Sequence, residues 1–409
     1  MELRNNPSKD YPAYTLSLME GSIDSTLEYV RTKLFSEKTC LIYDHVIHRE
    51  QDFPGSADIA AGFPDPCGYS TGMEDGMING GTMLDACLLK YETDGDPETA
   101  YFARKLVRGM LLCAFSGKDG FLPREVSPVD GRSHYPDSSR DQYTIFAFGM
   151  HRYLGSSLCT PEERAEICRA AIAIARRAER NVVPETGYDM LTEDGRASLV
   201  TVLWGDSLGN HEYFRLPMLY LLAYEASGEE HWLEKYRQLR EKAWDKSLPM
   251  GSYWAMYTLQ QMQASLLVCH DVDPDEAWQR RYLSLMNTVA DYAESQVDHV
   301  REKIGRLHNY NAPQLPFREL PVRPAERFIK LGYPDAVSLI REDATEFFTL
   351  QDGAQIAIIS QLVPGRQACE KTLALLTDSF EKIDLARHQR NLPLYYLDGF
   401  YRSIRKDHA

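Results

Sequence analysis

The 409-residue chain has no long hydrophobic run: no apolar stretch approaches the roughly 20 residues needed to cross a bilayer. It has no CxxC pair and no zinc-type spacing among its eight cysteines. It carries no GxSxG elbow, no Walker A loop and no dinucleotide fingerprint between strand and helix. A nucleotide cofactor is therefore not expected. Positive charge is in short supply, with 45 Lys and Arg against 60 Asp and Glu and a formal net charge of −15. That balance disfavours nucleic acid or an anionic membrane as a partner. Met1 to Asp10 lacks the charged-then-apolar pattern of a secretory leader. With thiols that read as free and buried, this points to a reducing, cytoplasmic setting.

What is present is helical, in two kinds of segment. The first is charged on one face and opens with a start signal. From Thr160 the chain reads TPEERAEICRAAIAIARRAER. Thr160 is the cap, Pro161 fits the first helical position, and Glu163 completes a capping box. Ile167, Ala170, Ala171, Ile174 and Ala178 then mark one apolar face. Similar starts stand at Asp96-Pro97-Glu98, Ser227-Gly228-Glu229-Glu230 and Asp273-Pro274-Asp275-Glu276.

The second kind is almost uncharged. Gly251 to Cys269, Gln142 to Met150 and Ala354 to Gly365 contain no charged side chain. A helix apolar all round is surrounded by protein. Buried segments over 75–91, 141–154, 211–226, 251–270, 352–363 and 394–404 alternate with outer helices. The outer ones are expected at Ser25–Phe35, Asp96, Thr160, Ser227, Asp273 and near Gly365. Short turns make partners antiparallel neighbours. The reading is all-α: one domain over 1–409, built as an (α/α)6 toroid of six helical hairpins. A Pro- and Arg-rich excursion at about 300–344 interrupts the fifth.

Because outer helices return the chain, the inner helices all run one way and their N-termini share a rim. Four polar-then-apolar openings mark it: GMEDGMINGG at Gly72, DSSRDQYTIFAFGMHRY at Asp137, WGDSLGNHEYFRLP at Trp204 and GSYWAMY at Gly251. With the hairpin pattern, these pieces resemble the six-hairpin glycosidase superfamily. The resemblance is to the superfamily and to no single family, and it carries over no catalytic residue. It implies glycoside hydrolases, unsaturated-uronide hydrolases, polysaccharide lyases or sugar epimerases, and a small oligosaccharide or glycan as substrate.

The rim residues themselves suit sugar chemistry. Glycosidic cleavage needs one carboxyl to protonate the leaving oxygen and a second carboxylate to activate water or attack. Asp141 and Asp75 head two inner helices and are the catalytic candidates. Each also has a structural reading, as a helix N-terminal carboxylate or as turn chemistry. Glu74, Arg124, Arg140, Gln142, Asp206 and His211 are candidate substrate contacts. Trp204, Tyr253, Trp254 and Tyr257 offer flat faces to sugar C–H surfaces. His308 lies in the excursion and could fold over the rim. Trp232, Trp244 and Trp278 are expected to pack between layers, and Pro217 to mark the start of its helix, leaving Asp206 to Arg215 as a loop. Asp44-x-x-x-His48 is too sparse to predict a metal site, so none is expected. An epimerase would want facing histidines, a lyase a Tyr base such as Tyr143, Tyr253 or Tyr310. A non-catalytic glycan-binding toroid would scatter the carboxylates. The oligomeric state is not legible.

Overall fold

The computed structural model describes residues 11–198, 200–248, 255–308, 315–341 and 344–404. The chain is mostly helical. In order, the helices are α1 (Tyr11–Tyr29), α2 (Ser56–Ala60), α3 (Gly76–Asp94), α4 (Pro97–Ser116), α5 (Arg140–Leu154), α6 (Pro161–Asn181), α7 (Arg215–Ser227) and α8 (Glu230–Ser247). They continue with α9 (Met256–Val272), α10 (Glu276–Ser295), α11 (Val297–Gly305), α12 (Glu326–Lys330), α13 (Ala344–Gln361), α14 (Glu370–Phe380) and α15 (Pro393–Ile404). Two small antiparallel pairs join β1 (Phe35–Ser36) to β2 (Leu41–Ile42) and β3 (Val322–Pro324) to β4 (Val337–Leu339), with Phe35 opposite Ile42 and Val322 opposite Leu339.

The start signals behave as their chemistry requires. Thr160 accepts from the Glu163 N–H while Glu163 accepts from the Thr160 N–H. Asp96 caps α4 through the N–H groups of Glu98 and Thr99. At α10 the capping side chain is Asp275, two residues after the expected Asp273. The Asp273 carboxylate is instead buried, taken up by Arg240 and the Tyr236 hydroxyl.

Six helices that carry few charges pack in succession, α3 on α5, α5 on α7, α7 on α9, α9 on α13, α13 on α15, and α15 again on α3. The charged helices flank them: α4 lies on α3, α6 and α8 on α7, α10 on α9 and α13, α14 on α13, and α1 on α14 and α15. At the α3–α5 contact the backbones come very close. A Cβ on Gly81 would sit 2.6 Å from Ile145 Cγ2 and 2.8 Å from the Ile145 carbonyl oxygen. Of the outer tryptophans, Trp232 stacks on Tyr220 of α7 and so packs between layers as expected, whereas Trp244 of α8 and Trp278 of α10, both on outer helices, meet each other edge to face.

Several boundaries differ from expectation. The first outer helix is α1, which begins well upstream of Ser25 and runs into a π turn at Val30–Leu34. Leu16, Met19, Ile23, Leu27, Val30 and Leu34 are all buried, so one apolar stripe starts before Ser25 and runs on through Leu34. The fifth inner helix begins at Ala344, placing Asp352 and Gln355 mid-helix. Gly365 has φ +73° and belongs to the turn, so α14 opens only at Glu370. Pro217 does sit in the first turn of α7, and Asp206 to Phe214 form the preceding loop. The excursion carries α11, α12 and the β3–β4 pair. It docks on the loop before α3, where Arg341 donates to the Ser70 carbonyl at 2.6 Å and Arg318 to Asp58 at 2.7 Å. All eight cysteines are free. No helix among the described residues is long and apolar enough to cross a membrane.

Candidate functional site

A cavity of about 940 Å³ opens among the N-terminal halves of these six helices. Asp75, Asp141, Glu74, Arg124, Arg140, His211 and Tyr257 all line it. The expected rim residues therefore largely converge, although they come from segments far apart in the chain.

Asp75 immediately precedes α3, and its carboxylate makes no cap bond. Its Oδ1 instead accepts from Gln142 Nε2 at 3.1 Å and stands 3.9 Å from Arg124 Nη1. The side chain keeps 43% exposure, directed into the cavity. Enclosure by the surrounding protein, reinforced by the nearby Asp44 and opposed by Arg124, raises this carboxyl to about 7. Glu74 beside it is likewise lifted to about 7, by burial and then by Asp75.

Asp141, in the first turn of α5, has the opposite bias. Burial pushes its carboxyl up, but the charge and hydrogen bond of Arg215, with Arg140 and Arg124 behind, hold it below the ordinary value. Arg215 heads α7, is almost wholly buried and donates to Asp141 Oδ1 through Nη1. Arg140 is tied to Glu212, Nε to Oε1 at 2.5 Å, and Glu212 also accepts from the Gly209 N–H. His211 is half-buried on the cavity wall. Burial lowers its pKa, Glu212 works against that, and Arg215 and Arg140 add to it.

Beneath this wall lie more carboxyls. Asp44 accepts from Asn79, Asn391 and the Glu74 N–H, and burial raises it to about 6. Glu125 is buried with neither oxygen bonded by any described residue, and burial with Asp44 and Asp75 nearby pushes it well up. It presses on the first turn of α3, where a Cβ on Gly76 would lie 2.1 Å from Glu125 Cγ, so only glycine fits there.

Other expected contacts are placed differently. Arg124 lines the cavity, but its guanidinium is taken up by the Glu74 and Ser138 carbonyls and the Tyr69 hydroxyl, with the Tyr69 ring 4.7 Å away. Gln142 is buried in the floor, where its Oε1 accepts from the Met77 N–H and its Nε2 holds Glu74 and Asp75. Trp204 does not line the cavity. It is packed edge to face on Tyr213 beneath Lys242, because its apolar ring is better buried between loop and outer helix than at the rim. Asp206 is exposed on the loop and paired with Lys246 at 3.0 Å, away from the cavity. His308 is exposed and does not line the cavity. Tyr253 and Trp254 lie outside the described residues. Tyr396, Asp398 and Tyr401, in the last inner segment and so expected at the rim, are buried in α15 away from the cavity, and Asp398 instead accepts from Arg402 at 2.9 Å.

Residues not anticipated include Tyr69, Glu212, Arg215, Gln260, Gln261 and Phe348. Arg215 carried the same signal as Asp141, a charged residue heading a sparsely charged helix. Gln260 and Gln261 follow Tyr257 at helical spacing, but a polar uncharged pair inside a buried helix reads as core until the neighbouring helices are placed. No group of three or more potential metal ligands occurs among the described residues. Comparison with known proteins finds no matching protein family, no similar curated protein and no similar solved structure.

Proposed function

We propose that the chain is a carbohydrate-active hydrolase of the (α/α)6 toroid type, cleaving a small oligosaccharide in this cavity. The succession of six sparsely charged helices flanked by charged partners supports the toroid reading. The observation that carries the chemistry is the opposite protonation bias of two carboxyls in one cavity. Asp75 is raised to about 7 and Asp141 is held low. Paired titratable groups whose surroundings push them apart are the arrangement acid–base catalysis requires.

In this reading Asp75 is protonated near neutral pH and donates its proton to the glycosidic oxygen as the C–O bond breaks. Asp141 stays ionised through Arg215. It orients the water that adds to the anomeric carbon and balances the positive charge building on the ring. The water proton leaves through Asp141, and Asp75 is reprotonated from solvent. Gln142 holds Asp75 toward the cavity. The arginines that a uronate would require are already engaged with Glu74, Tyr69, Asp141 and Glu212, which favours a neutral sugar.

The test is hydrolysis of defined oligosaccharides, unsaturated uronides included, by the unmutated chain, Asp75→Asn and Asp141→Asn. Losing the proton donor is expected to lower kcat about 10²–10⁴-fold. Full activity in both variants would overturn the assignment.

A further inference from the structure

The cavity has two chemically different walls. One, from the heads of α3, α5 and α7, holds the charged groups described above. The other comes from α9 and α13. Tyr257, Gln260 and Gln261 lie at i, i+3 and i+4 of α9, and Phe348, Asp352 and Gln355 at i, i+4 and i+7 of α13. The two helices are neighbours, and all six side chains line the cavity.

This second wall is built to meet something. Gln260, Gln261 and Gln355 are all more than nine-tenths buried. Yet the Oε1 of each finds no partner among the described residues. Those oxygens are closed to solvent, so it is the rest of each amide that lines the cavity. Beside them stand two of the few large apolar side chains left exposed, Phe348 at 52% and Tyr257 at 39%. Amide side chains next to open aromatic faces match a ring with hydroxyls at its edge and C–H groups on its faces. Asp352 and Lys303 also line the cavity, and the lysine charge opposes the rise that burial imposes on Asp352.

We propose that the α9–α13 wall is a separate subsite for an uncharged, polyhydroxylated sugar unit, which selects what is presented to Asp75 and Asp141. The substrate is then at least two units long. The neutral unit lies on the amide wall and the scissile bond on the charged wall. This rests on the hydrolase reading for the second half of the cavity, but the subsite is testable without turnover.

The probes are maltose, cellobiose, lactose and xylobiose, titrated calorimetrically into the unmutated chain and into Gln260→Leu/Gln355→Leu and Phe348→Ala. At least one disaccharide is expected to bind the unmutated chain. The double variant should weaken that binding at least tenfold, about 1.4 kcal/mol, and Phe348→Ala should weaken it severalfold. Phe348 is exposed, so its variant tests the wall even if the buried double variant folds poorly. Equal binding by Phe348→Ala and by a folded double variant overturns the subsite. So does a failure of all four sugars to bind the unmutated chain. The oligosaccharide screen with Asp75→Asn judges the hydrolase reading separately. Hydrolysis with normal KM in both wall variants would remove the subsite while sparing the catalytic pair.

Discussion

Asp75 and Asp141 are the same residue type at nearly the same place on two neighbouring helices, yet they titrate in opposite directions. The difference is one guanidinium. Arg215 reaches Asp141, whereas Asp75 faces Arg124 only at 3.9 Å and shares its surroundings with Asp44. Under the proposed hydrolysis, activity requires a protonated group with a pKa near 7 and an ionised group well below it. Its pH profile should fall on the alkaline side through about 7. Arg215→Met removes what opposes burial at Asp141, so that carboxyl rises and the acid limb of kcat/KM moves upward. At least a tenfold loss is expected at the optimum. Arg215→Lys should recover part of it, since a lysine supplies the charge without the planar fork. An unmoved acid limb in Arg215→Met would show that Asp141 is not the ionised group.

At the scale of elements, the sparsely charged helices approach as closely as their small residues allow. Gly81 of α3 faces the Ile145 backbone of α5, and no methyl fits between them. Gly81→Ala should destabilise the protein by about 1–3 kcal/mol through overpacking, read as a lowered urea midpoint with an unchanged slope. Gly21, exposed within α1 with nothing near its missing Cβ, is the control. Gly21→Ala should raise stability by up to about 1 kcal/mol through helix propensity alone. The two substitutions are identical on paper, and only packing gives them opposite signs. Equal effects would remove the close α3–α5 approach as the cause.

The whole molecule carries a pH signature because its buried carboxyls are raised together. Burial lifts Asp44, Asp65, Asp137 and Asp352 to about 6, and Glu74 and Asp75 to about 7. Between about pH 4 and 7 the folded chain then holds more protons than the unfolded one, so stability falls as pH rises across that window. A second decline comes at higher pH from the far end of the helices. His151 of α5 is clamped by Glu225 at 2.9 Å and Asp271 at 3.2 Å, at the C-terminal ends of α7 and α9. Burial lowers its pKa, but the two carboxylates outweigh that and raise it to about 9. Its contribution is complete below about 6.5 and is lost as pH rises through about 9. Carboxylates held low, such as Asp271 at about 2, lose their contribution only on further acidification below about 4. Thermal melts at constant ionic strength should show Tm falling from about pH 4.5 to 7.5 and again from 8 to 10. Asp44→Asn should flatten the first decline and His151→Gln the second. A Tm that rises between pH 4.5 and 7.5 would contradict the raised carboxyls.

What the sequence by itself determined is the sorting of the chain into charged and sparsely charged helices, with their order and most of their starts. Those features depend on residues within a few positions of one another. Thr160 and Glu163 cap α6 whatever lies around them, and a segment without charge, such as Gln142 to Met150, has to be surrounded by protein. Boundaries failed at Ser25, upstream of which α1 is already helical, and at Gly365, which belongs to the turn. Only the tertiary structure decided which polar residues share the cavity and what charge each carries. Arg215 and Asp141 are 74 positions apart, and Gln260 and Gln355 come to line one cavity only once α9 and α13 lie side by side. Desolvation and charge pairing are set by neighbours in space. Trp204 and Asp206 could therefore look like rim residues in the sequence and still be drawn away, one into a loop core and the other to Lys246.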